Sequence, residues 1–424
     1  MIDQTVLPFK LAATEDSITA HAGLVLLGEF AAGIRLGEDL DRRLPAPGSE
    51  AGYSPSEFVM PLILMLNGGG RALEDLRELR EDAGLREVLK LKEMPAADTA
   101  GDWLRRMGAG RGLKGVEKVN RRLLERALKE ETRVNYTLDQ DATVIEAEKE
   151  AAEWSYKGVK GYCPLVGHLA ENGLVVGWEF REGNASPGAG NLEFFQHCER
   201  QMPKGKRIGY FRSDSAAYQA AVFNYCEERG IGFAIGADWD AAVRGAIAAI
   251  PEQEWREYEG GRIAETVHSM NETKAAFRLV VVKRPGQGEM FGETEERLFV
   301  IASNREEGAE ETVAWYNQRG EASENRLKEL KLGVGMERMP CGQFAANAMF
   351  FGIGVLAYNL FRVFELGVLP ESWGRYQLRT LRWKLYQVAG KVVRHAGQVW
   401  LKVQAWQMEL FEGIRRRSWA YSLG

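Results

Sequence analysis

Cysteine is sparse and scattered in this chain. Cys163, Cys198, Cys226 and Cys341 form no C-x-x-C pair, so neither a zinc site nor a disulfide framework is expected, and a reduced, cytoplasmic setting follows. The five histidines (His21, His168, His197, His268, His395) are dispersed and are assigned no role. A glycine-rich phosphate loop is missing too. Asn67-Gly68-Gly69-Gly70 is too short and wrongly followed, and reads as punctuation between helices, so no nucleotide cofactor is expected. No uncharged apolar run reaches the roughly 18 residues of a membrane span. The best candidate, Phe344–Phe361, is interrupted by Asn347 and Asn359 and reads as a buried helix, so no membrane partner is expected. MIDQTVLPFK lacks a basic segment followed by an apolar one, which argues against a secretory signal. Net positive charge is lacking as well. The balance of −5 rules out a wholly basic coat protein, but patches rather than totals decide nucleic-acid binding.

What remains is a globular composition, 45% hydrophobic and 27% charged over 424 residues, long enough for two or three domains. Residues 1–130 read as helical. Ala51–Leu66 and Arg71–Leu91 carry apolar positions at three- and four-residue spacing, and a second helical pair follows Met94-Pro95. From Arg105 to Lys129 nine basic residues face Glu117 and Glu125, with Glu130 and Glu131 at the edge, an excess suited to phosphate contacts. The pattern changes at Arg133. Val134–Asp141, Gly158–Ala170 and Leu174–Arg181 are extended, Leu192–Gln201 is helical, Arg207–Asp214 a strand, Ser215–Arg229 a helix and Ile231–Gly236 a strand. Three strands followed by alternating helices and strands predict a mixed α/β sheet. Arg262–Val267, Ala275–Val282 and Arg297–Ala302 then read as a β-rich insertion over 238–304, broken by turns such as Arg284–Gly288. Helices resume near Glu307. The region 366–424 is expected to be helical and basic, its part from Glu371 onward holding ten Lys or Arg against three Glu, interleaved with Trp373, Trp383, Trp400, Trp406 and Trp419.

Three acids stand out. Asp139 and Asp141 close the first strand in YTLDQDAT, Asp214 closes another in YFRSDS, and Glu324 lies in YNQRGEASENRLKELK. As one helix, that last segment puts Glu324, Lys328 and Lys331 on one face. Carboxylates at strand ends suit hard divalent cations, and two such ions support phosphodiester displacement.

LDQDAT, RSDS and Tyr316-x2-Arg319…Glu324-x6-Lys331 together resemble the DDE transposases of bacterial insertion sequences, in the group marked by a Tyr-Arg-Glu-Lys signature. The resemblance, which covers roughly residues 50–365, selects Asp141 over Asp139, since its first aspartate precedes a small residue and Thr. The two aspartates share a strand face, so periodicity cannot choose between them. One spacing departs from the pattern. Arg319 and Glu324 enclose four residues where the family has three, and the rival Glu321 loses the six-residue interval to Lys331.

The resemblance implies an RNase H-like mixed sheet over 131–237 and 305–365, interrupted by the insertion, behind a helical DNA-binding region at 1–130. It implies that Asp141, Asp214 and Glu324 are catalytic and hold two Mg²⁺ or Mn²⁺ ions. Tyr316, Arg319 and Lys331 would contact phosphates, and Trp239 or Trp255 from the insertion would hold a flipped base. The implied partners are double-stranded DNA, as terminal inverted repeats and target, and a second copy in the synapse, in a bacterial cytoplasm near the nucleoid. Two alternatives stay open at this point: an RNase H-like DNA nuclease unconnected with transposition, and a catalytically retired DNA-binding protein.

Overall fold

The computed structural model describes residues 7, 9–48, 52–91, 93–285, 297–374 and 376–423, and for 321–324 the backbone only. Most of the turn expected at Arg284–Gly288, Ala51 of the first expected helix and Arg375 of the basic tail fall outside the described residues.

One mixed sheet of nine strands organises the chain. In chain order these are β1 (Asn135–Ala142), β2 (Leu165–Leu169), β3 (Val175–Glu179), β4 (Arg207–Ser213), β5 (Gly232–Gly236), β6 (Arg256–Tyr258), β7 (Gly261–His268), β8 (Phe277–Arg284) and β9 (Arg297–Ser303). Their order across the sheet is β6-β7-β8-β9-β5-β4-β1-β2-β3. β1, β2 and β3 form an antiparallel meander, whereas β4 lies parallel to β1 and β5 parallel to β4. The strands of 238–304 do not fold apart from this unit. β9 pairs antiparallel with β5, Ser303 opposite Ala234 and Ile301 opposite Gly236, so the segment continues the same sheet. This covers the backbone donors and acceptors that β5 would otherwise expose as an edge. The sequence pattern follows the pairing: Leu279, Val280, Val281 and Val282 of the interior strand β8 are all buried, a run rather than an alternation.

Helices α1 (Leu24–Gly33), α2 (Pro55–Gly68), α3 (Ala97–Ala109), α4 (Gly112–Ala127), α5 (Asn191–Gln201), α6 (Ala220–Arg229), α7 (Ala309–Lys328), α8 (Phe344–Gly367) and α9 (Met408–Leu423) complete the main framework. α8 is long and apolar enough to cross a membrane by composition, but it is almost wholly buried and packs against α2, α3 and α4. Gly108 of α3 permits the closest approach, since a Cβ there would meet the Ala345 carbonyl at 1.9 Å. The four cysteines are unpaired and buried.

The C-terminal region is not all helical, contrary to its expected character. Gly390–His395 and Gln398–Lys402 form a hairpin that pairs with Ser17–Thr19. Ala396 (φ 49°) and Gly397 (φ 77°) both take positive φ, the requirement of a two-residue turn whose twist matches its strands. Arg382, also in this region, caps α2 by donating to the carbonyls of Asn67 and Leu66 at 2.6 Å each.

A buried polar knot ties helices to sheet. Asn359 of α8 accepts from the Val175 N–H at 2.8 Å and donates to the Val175 carbonyl at 2.7 Å and to Asn120 of α4 at 2.6 Å. β3 is the sheet's last strand, so this side chain replaces the neighbour that Val175 lacks. Asn359→Leu should strand the Val175 N–H, leave the Val175 carbonyl only its 3.1 Å bond from Asn120, and lower stability by roughly 1–3 kcal/mol in urea titration. Asn359→Leu unfolding at the wild-type midpoint would exclude that role.

Candidate active site

β1 and β4 are registered so that Asp139 faces Arg212 and Gln140 faces Ser213. Residues paired this way share a face, and the Arg212 guanidinium forks onto Asp139 at 2.7 and 2.8 Å. Both side chains are buried, and Arg212 also donates to the Trp315 carbonyl on α7 with its guanidinium 4.9 Å from the indole centroid. His168 of β2 stands opposite Asp139, its Nε2 3.8 Å from the carboxylate. Burial pushes the His168 imidazole down to about 4, against the pull of Asp139, so it is neutral at pH 7. Asp139 is therefore the counter-ion of a buried arginine, which removes it from consideration as an open ligand.

Alternation carries the same face two residues further, to Asp141 on β1 and Asp214 just beyond β4. They end neighbouring parallel strands, spaced about 4.8 Å apart. Asp214 also caps the turn Ser215–Ala217, accepting from the Ala216 N–H at 3.1 Å. Arg319 of α7 binds Asp141 at 2.9 Å. Burial works against the Arg319 charge, but Asp141, with Tyr316 and Asp214 adding to it, holds the guanidinium protonated. Tyr316, one turn earlier, donates to the Ser213 carbonyl at 3.2 Å and so steadies the backbone next to Asp214. Gly236, at the end of β5, leaves room for this contact. A Cβ there would lie 3.2 Å from the Tyr316 hydroxyl.

Glu324 sits on α7, but its side chain is outside the described residues, as is that of Glu321. α7 runs unbroken from Ala309 to Lys328, so the extra residue between Arg319 and Glu324 is not taken up in a turn ahead of the helix. Five α-helical steps set the two about 140° apart. The helix widens only afterwards, in a π turn at Glu329–Gly333 closed by Val334 N–H to Glu329 carbonyl at 2.9 Å. Lys331 lies in that turn and donates to the Val144 carbonyl at 2.7 Å.

The two tryptophans diverge. Trp255 is buried beneath the Lys283 ammonium, 4.3 Å from its ring centroid. Trp239 is half exposed, three residues beyond Gly236, and its neighbour Asp238 is pushed up by burial, with Asp240 and Asp214 adding to the effect.

The structure thus joins Asp141, Asp214, Arg319 and Tyr316, and leaves Trp239 exposed three residues beyond Gly236. Among the described residues no cluster of three or more His, Cys, Asp or Glu stands at metal-holding distance. Asp141 and Asp214 supply carboxylate oxygens, the donor type that hard divalent cations prefer. Sequence reasoning overlooked the Asp139–Arg212 pair, whose trace is the repeated spacing Asp139-x-Asp141 and Arg212-x-Asp214.

Two stability measurements separate scaffold from site. Asp139→Asn leaves a wholly buried guanidinium without its partner and should cost about 3–5 kcal/mol in urea titration, with Asp141→Asn costing less because Asp214 still acts on the Arg319 charge. Equal losses would refute the distinction. His168 has a folded pKa below its unfolded one, so its contribution is full above the unfolded value near 6.5 and is lost as pH falls toward 4. Wild-type stability should drop by about 2 kcal/mol more than that of His168→Leu between pH 7 and pH 5. Parallel pH profiles would contradict this.

A cryo-EM structure of the piggyBac transposase synaptic complex with hairpin DNA is similar at 11% identity, over 88% of this chain and 83% of that one, with a TM-score of 0.46. No curated protein matches the sequence. The profile of the family described as Transposase DDE domain group 1 matches residues 7–409. With a match along nearly its whole length, the chain belongs to the Transposase DDE domain group 1 family.

Proposed function

We propose that the protein is an insertion-sequence transposase that binds the terminal inverted repeats of its element, then cuts and rejoins DNA in a cut-and-paste reaction. The observation that carries this reading is the placement of Asp141 and Asp214 at the ends of adjacent parallel strands, with Arg319 of α7 against them. An RNase H-like core is supported by the order β3-β2-β1-β4-β5, a meander followed by two strands parallel to the first.

Asp141 and Asp214, with Glu324 from α7, are the residues that would hold the divalent ions. When bound, two such ions supply an activated water or 3′-hydroxyl and stabilise the leaving oxygen. Arg319 offers a planar fork to a phosphate, and its contact with Asp141 puts that fork beside the carboxylates. Tyr316 positions the Asp214 turn through Ser213, and Trp239, unlike the buried Trp255, is exposed enough to hold a flipped base.

The outer face of α4 supports duplex binding by the helical region 1–130. Lys114, Lys118, Arg121 and Arg122 are exposed, while Val116, Val119 and Leu123 point inward. Cations at this spacing track a phosphate backbone. Joining two element ends calls for two copies of the chain, so a homodimer should form on DNA.

Asp214→Asn should keep its binding to a duplex carrying the terminal repeats while cleavage falls by on the order of a thousandfold or more. Undiminished cleavage would sink the assignment of the acids.

A further inference from the structure

Between β1 and β2 the chain leaves the large sheet directly after the site aspartate and builds a small flap. Its strands Ile145–Glu146, Glu153–Trp154 and Lys160–Tyr162 pair as an antiparallel sheet, Ile145 opposite Tyr162 and Trp154 opposite Lys160. The base is pinned on several sides. Thr143 N–H donates to the Pro164 carbonyl at 3.0 Å, Lys331 to the Val144 carbonyl at 2.7 Å, and Asn347 of α8 to the Tyr162 hydroxyl at 3.0 Å. Gly183 lies so close behind the flap that a Cβ would meet the Glu153 carbonyl at 2.2 Å.

The tip is equally defined. Ser155 N–H donates to the Val159 carbonyl at 2.8 Å, Gly158 N–H to the Ser155 carbonyl at 2.9 Å, and Gly158 has φ 72°. This is a three-residue hairpin loop closed by a left-handed glycine, with Tyr156 and Lys157 at its two projecting positions. Tyr156 is 55% exposed and Trp154 67% exposed, and the Lys157 ammonium lies 5.7 Å from the Tyr156 ring centroid. Charge is divided along the flap. Glu146, Glu148, Glu150 and Glu153 precede Trp154, whereas Trp154–Lys160 holds Lys157 and Lys160 and no acid.

The flap also springs from the site strand, Thr143 following Asp141 by two residues along the chain and Val144 being held by Lys331. Burial pushes the Tyr156 hydroxyl up, and the Cys163 thiol, Asp214 and Asp141 act on it in the same direction. Lys331 is pushed down by burial and then by the charge of Lys157, against the pull of Glu146. Isolated exposed aromatics are ordinary on protein surfaces. An exposed aromatic paired with a cation, on a pinned loop that springs from the strand of a site acid, is the combination that stacks a base and holds its phosphate.

We propose that this flap is a clamp for the DNA end, in which Tyr156 stacks on an unpaired base beside the scissile phosphate and Lys157 binds the adjoining phosphate next to Lys331. The inference rests on the reading of the chain as a DNA-cleaving enzyme and adds a contact surface to that site.

The test uses the full chain and a nicked duplex with 2-aminopurine beside the nick, in Ca²⁺ to withhold cleavage. The wild type should bind and quench or enhance the probe's fluorescence. Tyr156→Ala should abolish that change and weaken binding by about tenfold, while Tyr156→Phe keeps both. Lys157→Gln should lower the dependence of log affinity on log salt by about one phosphate's worth, leaving the fluorescence change in place. Circular dichroism and thermal melting of each variant should match the wild type, because both side chains project from a turn. If the wild type does not bind the duplex, the DNA reading itself fails and the clamp with it. If it binds, and both variants behave as wild type, the clamp alone is overturned. A fluorescence change lost in Trp239→Ala but kept in Tyr156→Ala would likewise overturn it, assigning the stack to the other aromatic.

Discussion

The Asp139–Arg212 pair sets the position of everything around the candidate site. Removing two charges from water costs several kcal/mol per ion, and their attraction at 2.7 Å roughly offsets that, so the pair is a weak source of net stability. Its effect is on register. A one-residue slip between β1 and β4 would turn one of the two charges to the opposite face and leave both unpaired. By fixing that register it also fixes Asp141 and Asp214 two residues on. Through the Trp315 carbonyl and indole, Arg212 further locates α7, the helix that bears Tyr316, Arg319 and Glu324. One buried guanidinium therefore sets the relation among all three elements that carry the proposed acids.

The same pair explains which parts of the site were legible in the sequence. Strand alternation located YTLDQDAT and YFRSDS, and the observed β1 and β4 follow those segments closely. Alternation could not rank Asp139 against Asp141, because both point the same way. What separates them is a partner 73 residues away, and no local pattern announces a pairing at that distance. The signature helix was legible as a helix, but the tie of Lys331 to the Val144 carbonyl, 187 residues earlier, was not.

Where expectation and structure part, local chemistry or neighbouring strands decided the outcome. The C-terminal region looked helical because its Lys, Arg and Trp residues suit a solvated helix face. The dipeptide Ala396-Gly397 instead supplies a tight turn, and Val392 and Leu401 pack inward from the hairpin. Residues 238–304 read as a β-rich insertion by their strand-like runs, and the open edge of β5 gives that segment a template, which β9 takes.

The spacing departure in the signature segment has a physical consequence. In a regular helix four intervening residues set the Glu324 position about 140° round from that of Arg319. Arg319 binds Asp141, a carboxylate it neutralises. Two carboxylates at adjacent strand ends repel each other, and with a guanidinium between α7 and the sheet that repulsion is offset in the protein alone. Beyond Glu324 the π turn adds a residue without ending the helix, and it delivers Lys331 to the base of the flap instead of to open solvent. The irregular stretch from Arg319 to Gly333 thus couples two sides of the site. At one end it supplies the cation that balances the aspartates, and at the other it anchors the flap that springs from the Asp141 strand.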